Sequence, residues 1–294
     1  MLRHFLTGEE ISSAELTALL DRAAVLKAQP LASDVLVRRT VALIFQAPST
    51  RTRVSFEAGI VELGGHPMVL RADELQLSRG ESIRDTAMVL SRHVAAIGIR
   101  TGPDELLAEL ARHAQIPVFN MLTAGHHPVQ ALADLLTLRQ VFGELAGLKV
   151  AYVGDGNNVA RSLAIVGALA GVEVRVAAPP GYQLDPVAGA ILTDDPRAAV
   201  VGADAIYTDV WVSMGDDPES ADQRRRALAP FAIDDALLDL AAPHAIALHC
   251  LPAHPGEDIS AEVLYGPRQQ IWEQAENRRH AQKALLELLL TSAD

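Results

Sequence analysis

The sequence predicts an α/β protein with mainly parallel sheets, in two domains joined by a long helix. Short apolar, β-rich runs alternate with helix-patterned segments along the whole chain. The alternation restarts after Gly147, which sets the domain count. Polar residues of interest (Ser49, Arg100, His127, Asn158, Asp209 and Cys250) fall where strands end, the place where such sheets collect ligands.

Residues 8–28 carry apolar residues at Leu16, Leu19, Leu20 and Ala23, a helical spacing. TVALIFQA (40–47) reads as a buried strand, followed by a helix from about residue 50 that Gly64-Gly65 ends. ESIRDTAMVLSRH (81–93) predicts a helix, VAAIGIR (94–100) and IPVFNML (116–122) predict strands, and 127–143 predicts a helix with Pro128 in its first turn. Beyond the restart, LKVAYVGDG predicts a strand, NNVARSLAIVGALAG a helix and VEVRVAAP a strand. ADAIYTDVWVS and HAIALHCLPA are further strands, and EQAENRRHAQKALLELLL is a closing helix.

The 294 residues carry a formal net charge of -12, which disfavours a nucleic-acid or anionic-membrane partner. The basic cluster at 49–53 therefore points to something small and local. With Cys250 alone no internal disulfide forms, which fits a reducing compartment. The N-terminal stretch has no apolar core of a signal peptide and no run approaches a membrane span, so the sequence predicts a cytoplasmic protein.

Ser49-Thr50-Arg51-Thr52-Arg53 sits where a strand feeds a helix, with Ser49 as N-cap. Unpaired first-turn N–H groups and the positive end of the helix dipole attract phosphate there. Arginines two apart face different sides, so Arg51 is assigned to the ligand and Arg53 to structural work. His127-Pro128-Val129-Gln130 is a second strand-to-helix junction. Its imidazole can donate to a carbonyl oxygen, and its glutamine can bond a carbamoyl or amide group. Arg100 is a third candidate anion ligand, with a surface salt bridge as the bland alternative. Gly154-x-Gly156 follows a strand as in dinucleotide folds, but Val159 occupies the third glycine position and the next strand ends without an acid for a ribose. Asn157 and Asn158 can grip an amino-acid head group, and Asp209 can hold an ammonium. Cys250 follows His249 at a strand end, where inert packing and a cleft thiol are both open readings.

STRTR, HPxQ, GDGNN, DxWxSMG, HCLPA and ENR, in this order, resemble the aspartate/ornithine carbamoyltransferase family, and SMG with HCLP its ornithine branch. The resemblance covers essentially the whole chain. It implies two doubly wound parallel-sheet domains joined by long helices: 1–134 for carbamoyl phosphate, 135–272 for ornithine, and 273–294 as a helix packing back on the first. It implies transfer of the carbamoyl group to the δ-amine of L-ornithine, giving L-citrulline and phosphate. Carbamoyl phosphate would meet Ser49, Thr50, Arg51, Thr52, Arg100, His127 and Gln130, with Cys250, Leu251 and Arg278 completing the pocket and Gln76 lent to a neighbouring subunit. Ornithine would meet Asn158, Asp209, Ser213 and Met214, on a stretch that reads as a closing lid. Cys250, Arg51, His127 and Asp209 would carry the chemistry, in a homotrimer needing no metal or organic cofactor.

Several positions depart from the family pattern. Ala47 replaces a charged residue before STRTR, Ser78 replaces a glycine, and Pro255 replaces a frequent arginine. AGHHPVQ lacks the acidic or aromatic residues often found before HPxQ, and the segment 185–200 is shortened. The alternatives are a carbamoyltransferase for another amine (putrescine or a modified ornithine), a non-catalytic phosphate-binding homologue and, as an outsider, an NAD-dependent dehydrogenase.

Overall fold

The computed structural model describes residues 3–76, 80–212 and 218–291. It divides into two compact units, residues 1–136 with 276–294, and residues 137–275. Each unit carries one fully parallel sheet with its own apolar core.

In the first unit the order is α1 (Ser13–Ala28), β1 (Thr40–Phe45), α2 (Thr50–Glu62), β2 (His66–Arg71), α3 (Ile83–Leu90), β3 (Ala96–Arg100), α4 (Asp104–His113) and β4 (Val118–Leu122). Helix α5 (Pro128–Phe142) then runs through the division. The strands align β2-β1-β3-β4. Helix α1 starts at Ser13, later than the sequence pattern suggests, because Ser12 and Glu15 form a reciprocal capping box that fixes its first turn. β2 is the strand of this unit that the sequence reading lacks. It is an edge strand with no fully buried residue, and its apolar run is only Met68–Leu70 after Pro67, shorter than the runs of the central strands. The carboxyl ends of the two central strands, β1 and β3, feed the STRTR junction and Arg100. Val41–Ile44 of β1 and Ala96–Ile99 of β3 are buried, which makes both strands rigid platforms for the junctions at their ends.

The second unit runs β5 (Lys149–Val153), α6 (Asn158–Leu169), β6 (Glu173–Ala177), β7 (Ala190–Thr193), α7 (Pro196–Val200), β8 (Ala205–Thr208), α8 (Pro218–Leu228), a 3-10 turn (Ala229–Phe231), α9 (Asp235–Leu238), β9 (Ile246–His249) and α10 (Ala261–Leu264). Its strand order is β7-β6-β5-β8-β9. Residues 185–200, where the sequence reading expects a trimmed helix–strand unit, carry a four-residue strand, β7, and a five-residue helix, α7. The order reverses between β6 and β8 around β5, so the GDG turn after β5 and Asp209 after β8 lie at the switch point where such sheets bind ligands. Gly156 is required in that turn, since a Cβ there would run into the backbone of Gln183 and Leu184.

Helix α11 (Ile271–Thr291) closes the chain, and its residues from Glu276 onward belong to the first unit. Fully buried Lys283 holds Glu62 of α2 at 2.5 Å and donates to the carbonyls of Leu26 and Pro30. Arg22 of α1 pairs with Glu287 at 2.5 Å. A buried cation needs such partners to remain charged, so these contacts fix the register of α11 against α1 and α2.

Candidate active site

The first unit gathers donors at its strand-to-helix junctions. Ser49 has the extended backbone of an N-cap, but its side chain makes no capping hydrogen bond, and no acid sits in the first turn of α2. The expected cap is thus positional only, and the first-turn N–H groups keep the field that favours an anion. Thr52 is buried and accepts a hydrogen bond from Arg278 Nη2 at 2.7 Å. Arg51 is half-buried and Thr50 exposed. Arg53 is exposed and pairs with Glu57 at 2.9 Å one turn on. A cavity of about 470 Å³ opens beside this junction, lined by Gln46, Ala47, Ser49, Thr50, Arg53 and Arg71 among others. Arg100, His127 and Gln130 are absent from its lining, so it is separate from the buried donor group around His127.

His127 and Arg278 are buried, and Arg100 is half-buried at the end of β3. Burial, then the charges of Arg278 and Arg100, hold the His127 imidazole well below its usual proton affinity. It is therefore neutral at physiological pH and offers a neutral N–H donor. Gln130 is buried and gives its Nε2–H to Asp134 Oδ1 at 2.8 Å. That bond fixes the amide orientation, leaving Oε1 buried with no hydrogen-bond partner among the described residues. The ends of β1 and β3 are tied together by Gln46, whose Oε1 accepts from Thr101 Oγ1 at 2.5 Å and whose N–H reaches the Arg100 carbonyl at 2.9 Å.

In the second unit the thiol of Cys250 donates to Asp209 Oδ1 at 2.6 Å. Asp209 Oδ2 accepts from Asn157 Nδ2 at 2.9 Å. Asn157 is the N-cap of α6, and its Oδ1 accepts from the N–H groups of Val159 and Ala160 and from Tyr152 Oη. Burial, with the charges of Asp209, Cys250 and Asp155, pushes the Tyr152 phenol well above its usual value, so it remains a donor. Leu251 adopts the left-handed region at φ 64°, a strained state for a leucine, with its N–H held by His249 Nδ1 at 2.8 Å. Fully buried Asp258 lies 3.3 Å from His249 Nε2. Asp155 pairs with Arg224, which also donates to the Trp211 carbonyl and stacks over Tyr182 at 5.1 Å.

Among the described residues, Asp209, His249 and Cys250 could offer ligand atoms to a metal, all within 4.8 Å of one another. Within this group His249 Nδ1 accepts from the Leu251 N–H and the thiol donates to Asp209.

Thr52, Arg100, His127, Gln130 and Arg278 thus assemble in the first unit, and Asp209 with Cys250 and Leu251 in the second. Asn158 opens α6 beside Asn157. Gln76 is exposed and lies outside the buried donor group; its carbonyl accepts from Glu81 N–H at 3.1 Å. Ser213 and Met214, with the expected lid, and Ser78 lie outside the described residues. The sequence analysis misses the network roles of Tyr152, Gln46 and Arg224, and it assigns Asn157 to an amino-acid head group, whereas its amide bonds Asp209, 52 residues away, and its Oδ1 caps α6. The N-cap position of Asn157 is the one signal that distinguishes it from Asn158.

Two family models match the chain. "Aspartate/ornithine carbamoyltransferase, carbamoyl-P binding domain" matches residues 3–140, and "Aspartate/ornithine carbamoyltransferase, Asp/Orn binding domain" matches 146–289. An ornithine carbamoyltransferase of Acidothermus cellulolyticus is 54% identical over 100% of this chain and 98% of its own length. The ornithine carbamoyltransferase structure from Pyrococcus furiosus superposes with a TM-score of 0.94 at 44% identity, covering 99% of this chain and 98% of that one. The one from Thermus thermophilus gives 0.91 at 45% identity, with 98% of each chain covered.

Proposed function

We infer the function from one premise: the chain belongs to the aspartate/ornithine carbamoyltransferase family. It is an enzyme that transfers the carbamoyl group of carbamoyl phosphate to the δ-amine of L-ornithine, giving L-citrulline and phosphate.

The residue roles are a proposal, supported by the geometry within each unit and, for Leu251, Asn158, Ser213 and Met214, by the family resemblance alone. The open N-terminus of α2, with Ser49, Thr50, Arg51 and Thr52, and with Arg100 and Arg278, receives the phosphate dianion. As the C–O bond to phosphate breaks, the leaving oxygen gains charge, and donors already in place stabilise it without reorganising. Neutral His127 donates to the carbonyl oxygen, where negative charge develops when the amine adds. Gln130 Oε1 accepts from the carbamoyl NH₂. Leu251, at the turn that carries Cys250, contributes its main chain to the same substrate. The ornithine δ-amine attacks through its lone pair, so it must be deprotonated first, and it sheds a further proton as citrulline forms. Asp209, hydrogen-bonded by the Cys250 thiol and by Asn157, is a carboxylate in position to orient the amine and pass that proton on. Asn158, Ser213 and Met214 are assigned to the amino-acid head group. The domain spans proposed for these roles are 1–134, 135–272 and the helix 273–294.

The observation that carries the reading is Gln130. Its pairing with Asp134 aims a buried acceptor, beside a neutral imidazole and two arginines, at a group that must present both an amide-like N–H and an anion. The test is citrulline or carbamoyl-amine formation from carbamoyl phosphate with L-ornithine, putrescine and N-acetyl-L-ornithine. L-ornithine is expected to be preferred. Preference for either other amine, or carbamoyl phosphate binding without turnover, would overturn it.

We also propose a cytoplasmic homotrimer in which Gln76 completes a neighbour's pocket. No helix among the described residues is long and apolar enough to cross a membrane, and Gln76 is exposed, as a residue that reaches another chain must be. Gln76→Glu and Arg51→Ala should each be nearly inactive, and mixed trimers should regain activity because one pocket is then intact. Verified subunit exchange without recovery would place Gln76 outside the site.

A further inference from the structure

His127 stands at the start of α5, directly after a turn at 123–126 that contains no acid of its own. The turn is organised by a carboxylate from another part of the chain. Asp104, in the first turn of α4, accepts the Thr123 Oγ1–H on Oδ1 at 2.5 Å and the Gly125 N–H on Oδ2 at 3.0 Å. The same Oδ1 lies 3.3 Å from His126 Nδ1.

Thr123 passes the constraint on. Its hydroxyl oxygen accepts the His126 N–H at 3.2 Å and an Asn120 Nδ2–H at 3.1 Å, and its own N–H meets the His126 carbonyl at 2.8 Å. The Ala124 N–H reaches the carbonyl of Gly102, two residues before Asp104, at 2.7 Å. A Cβ on Gly125 would lie 2.5 Å from Asp104 Oδ2, so glycine is the residue that admits this approach. Every residue of the turn is thus held by Asp104 or by the connection that carries it, and the residue after the turn is His127.

We propose that Asp104 is a positioning residue for the carbamoyl-phosphate half of the reaction, holding the 123–126 turn so that His127 meets the substrate carbonyl in register. The proposal rests on the carbamoyl-transfer function inferred for the site. Asp104 acts from outside the substrate. The acid that AGHHPVQ lacks is supplied by the first residue of α4, at the end of the connection that leads out of Arg100, so two substrate-binding residues share one brace.

The test compares Asp104→Ala and Asp104→Asn with the unaltered enzyme in steady-state citrulline formation, together with thermal unfolding. Asp104→Ala removes two charge-assisted hydrogen bonds and should raise KM for carbamoyl phosphate about tenfold and lower kcat, with KM for ornithine unchanged at saturating carbamoyl phosphate. Asp104→Asn keeps an acceptor for Thr123 but turns a donor toward Gly125, so it should fall between Asp104→Ala and the parent. A merely structural aspartate would lower the unfolding temperature and the active fraction while leaving both KM values alone. Unchanged KM for carbamoyl phosphate in both variants, with the parent enzyme active, overturns the positioning role. A parent enzyme that makes no citrulline overturns the functional reading itself.

Discussion

The two units solve opposite electrostatic problems. The first unit concentrates positive potential and keeps it. Burial, and after it Arg278 and Arg100, depress the proton affinity of His127, Ser49 leaves the α2 N-terminus without a side-chain cap, and Gln130 holds an acceptor in reserve. In the second unit the groups of the candidate amine site satisfy one another, with thiol, carboxylate, amide and phenol forming one chain of hydrogen bonds through Cys250, Asp209, Asn157 and Tyr152. A site for a dianion gains from unmet demand, because the ligand supplies the missing charge. A site for an amine gains from a carboxylate already oriented, whose partners can yield one bond to the incoming group.

This contrast breaks most readily at Arg51. Arg51→Ala should reduce kcat/KM for carbamoyl phosphate on the order of 10²-fold or more, because a charge-assisted contact that strengthens as phosphate leaves is lost. Steady-state kinetics with each substrate varied in turn would show a raised KM for carbamoyl phosphate together with a lower kcat. Normal turnover would remove Arg51 from the phosphate cradle.

A smaller effect is expected on the other side. Asp209→Asn keeps the shape but discards the charge that accepts the thiol and the Asn157 amide. It should lower kcat/KM for ornithine roughly 10- to 100-fold, the range for hydrogen bonds to a charged group. Pre-steady-state binding of carbamoyl phosphate to this variant should be unaltered. Cys250→Ala leaves Asp209 in place and removes one neutral donor, so a loss of about tenfold or less is expected. Cys250→Ser, which still donates, should recover part of it. A trapped carbamoyl thioester on Cys250 would contradict a tuning role.

The smallest effect concerns pH. His127 binds a proton less readily when folded than its usual 6.5, so its contribution to stability is fully present above about pH 6.5 and is lost as pH falls below it. The slope from one such group is at most about 1.4 kcal/mol per pH unit. His4 and His280 are lowered in the same direction, chiefly by burial, so the His127 share is the difference between the parent and His127→Asn in denaturant titrations at about pH 7.5 and 5.5. Saturating phosphate should blunt the acid loss in the parent, since a dianion favours the imidazolium. An identical pH response in His127→Asn would show that the imidazole is not held neutral by its surroundings.

The sequence carries the two halves unequally, for the same physical reason. The phosphate side is legible because helix N-termini bring consecutive residues to one ligand, so Ser49–Thr52 and His127–Gln130 stand as linear motifs. The central strands are equally plain, being buried on both faces. β2 escapes because its apolar run, Met68–Leu70, is short, follows Pro67 and lies on an edge strand, and α4 because Pro103 offers no side-chain cap. The thiol–carboxylate side depends on contacts 41 and 52 residues apart, and Asn157 differs from Asn158 only in which of them caps α6. Asp104 is 19 residues from Thr123, and nothing in its own neighbourhood marks it.

The division of labour is tested most directly by calorimetric titration of carbamoyl phosphate into the parent enzyme, Arg51→Ala and Asp209→Asn, with citrulline formation assayed on the same preparations. The account predicts that Asp209→Asn binds carbamoyl phosphate as the parent does while making far less citrulline, and that Arg51→Ala loses the binding itself. Parent-like binding by Arg51→Ala, or an equal loss in Asp209→Asn, would contradict it.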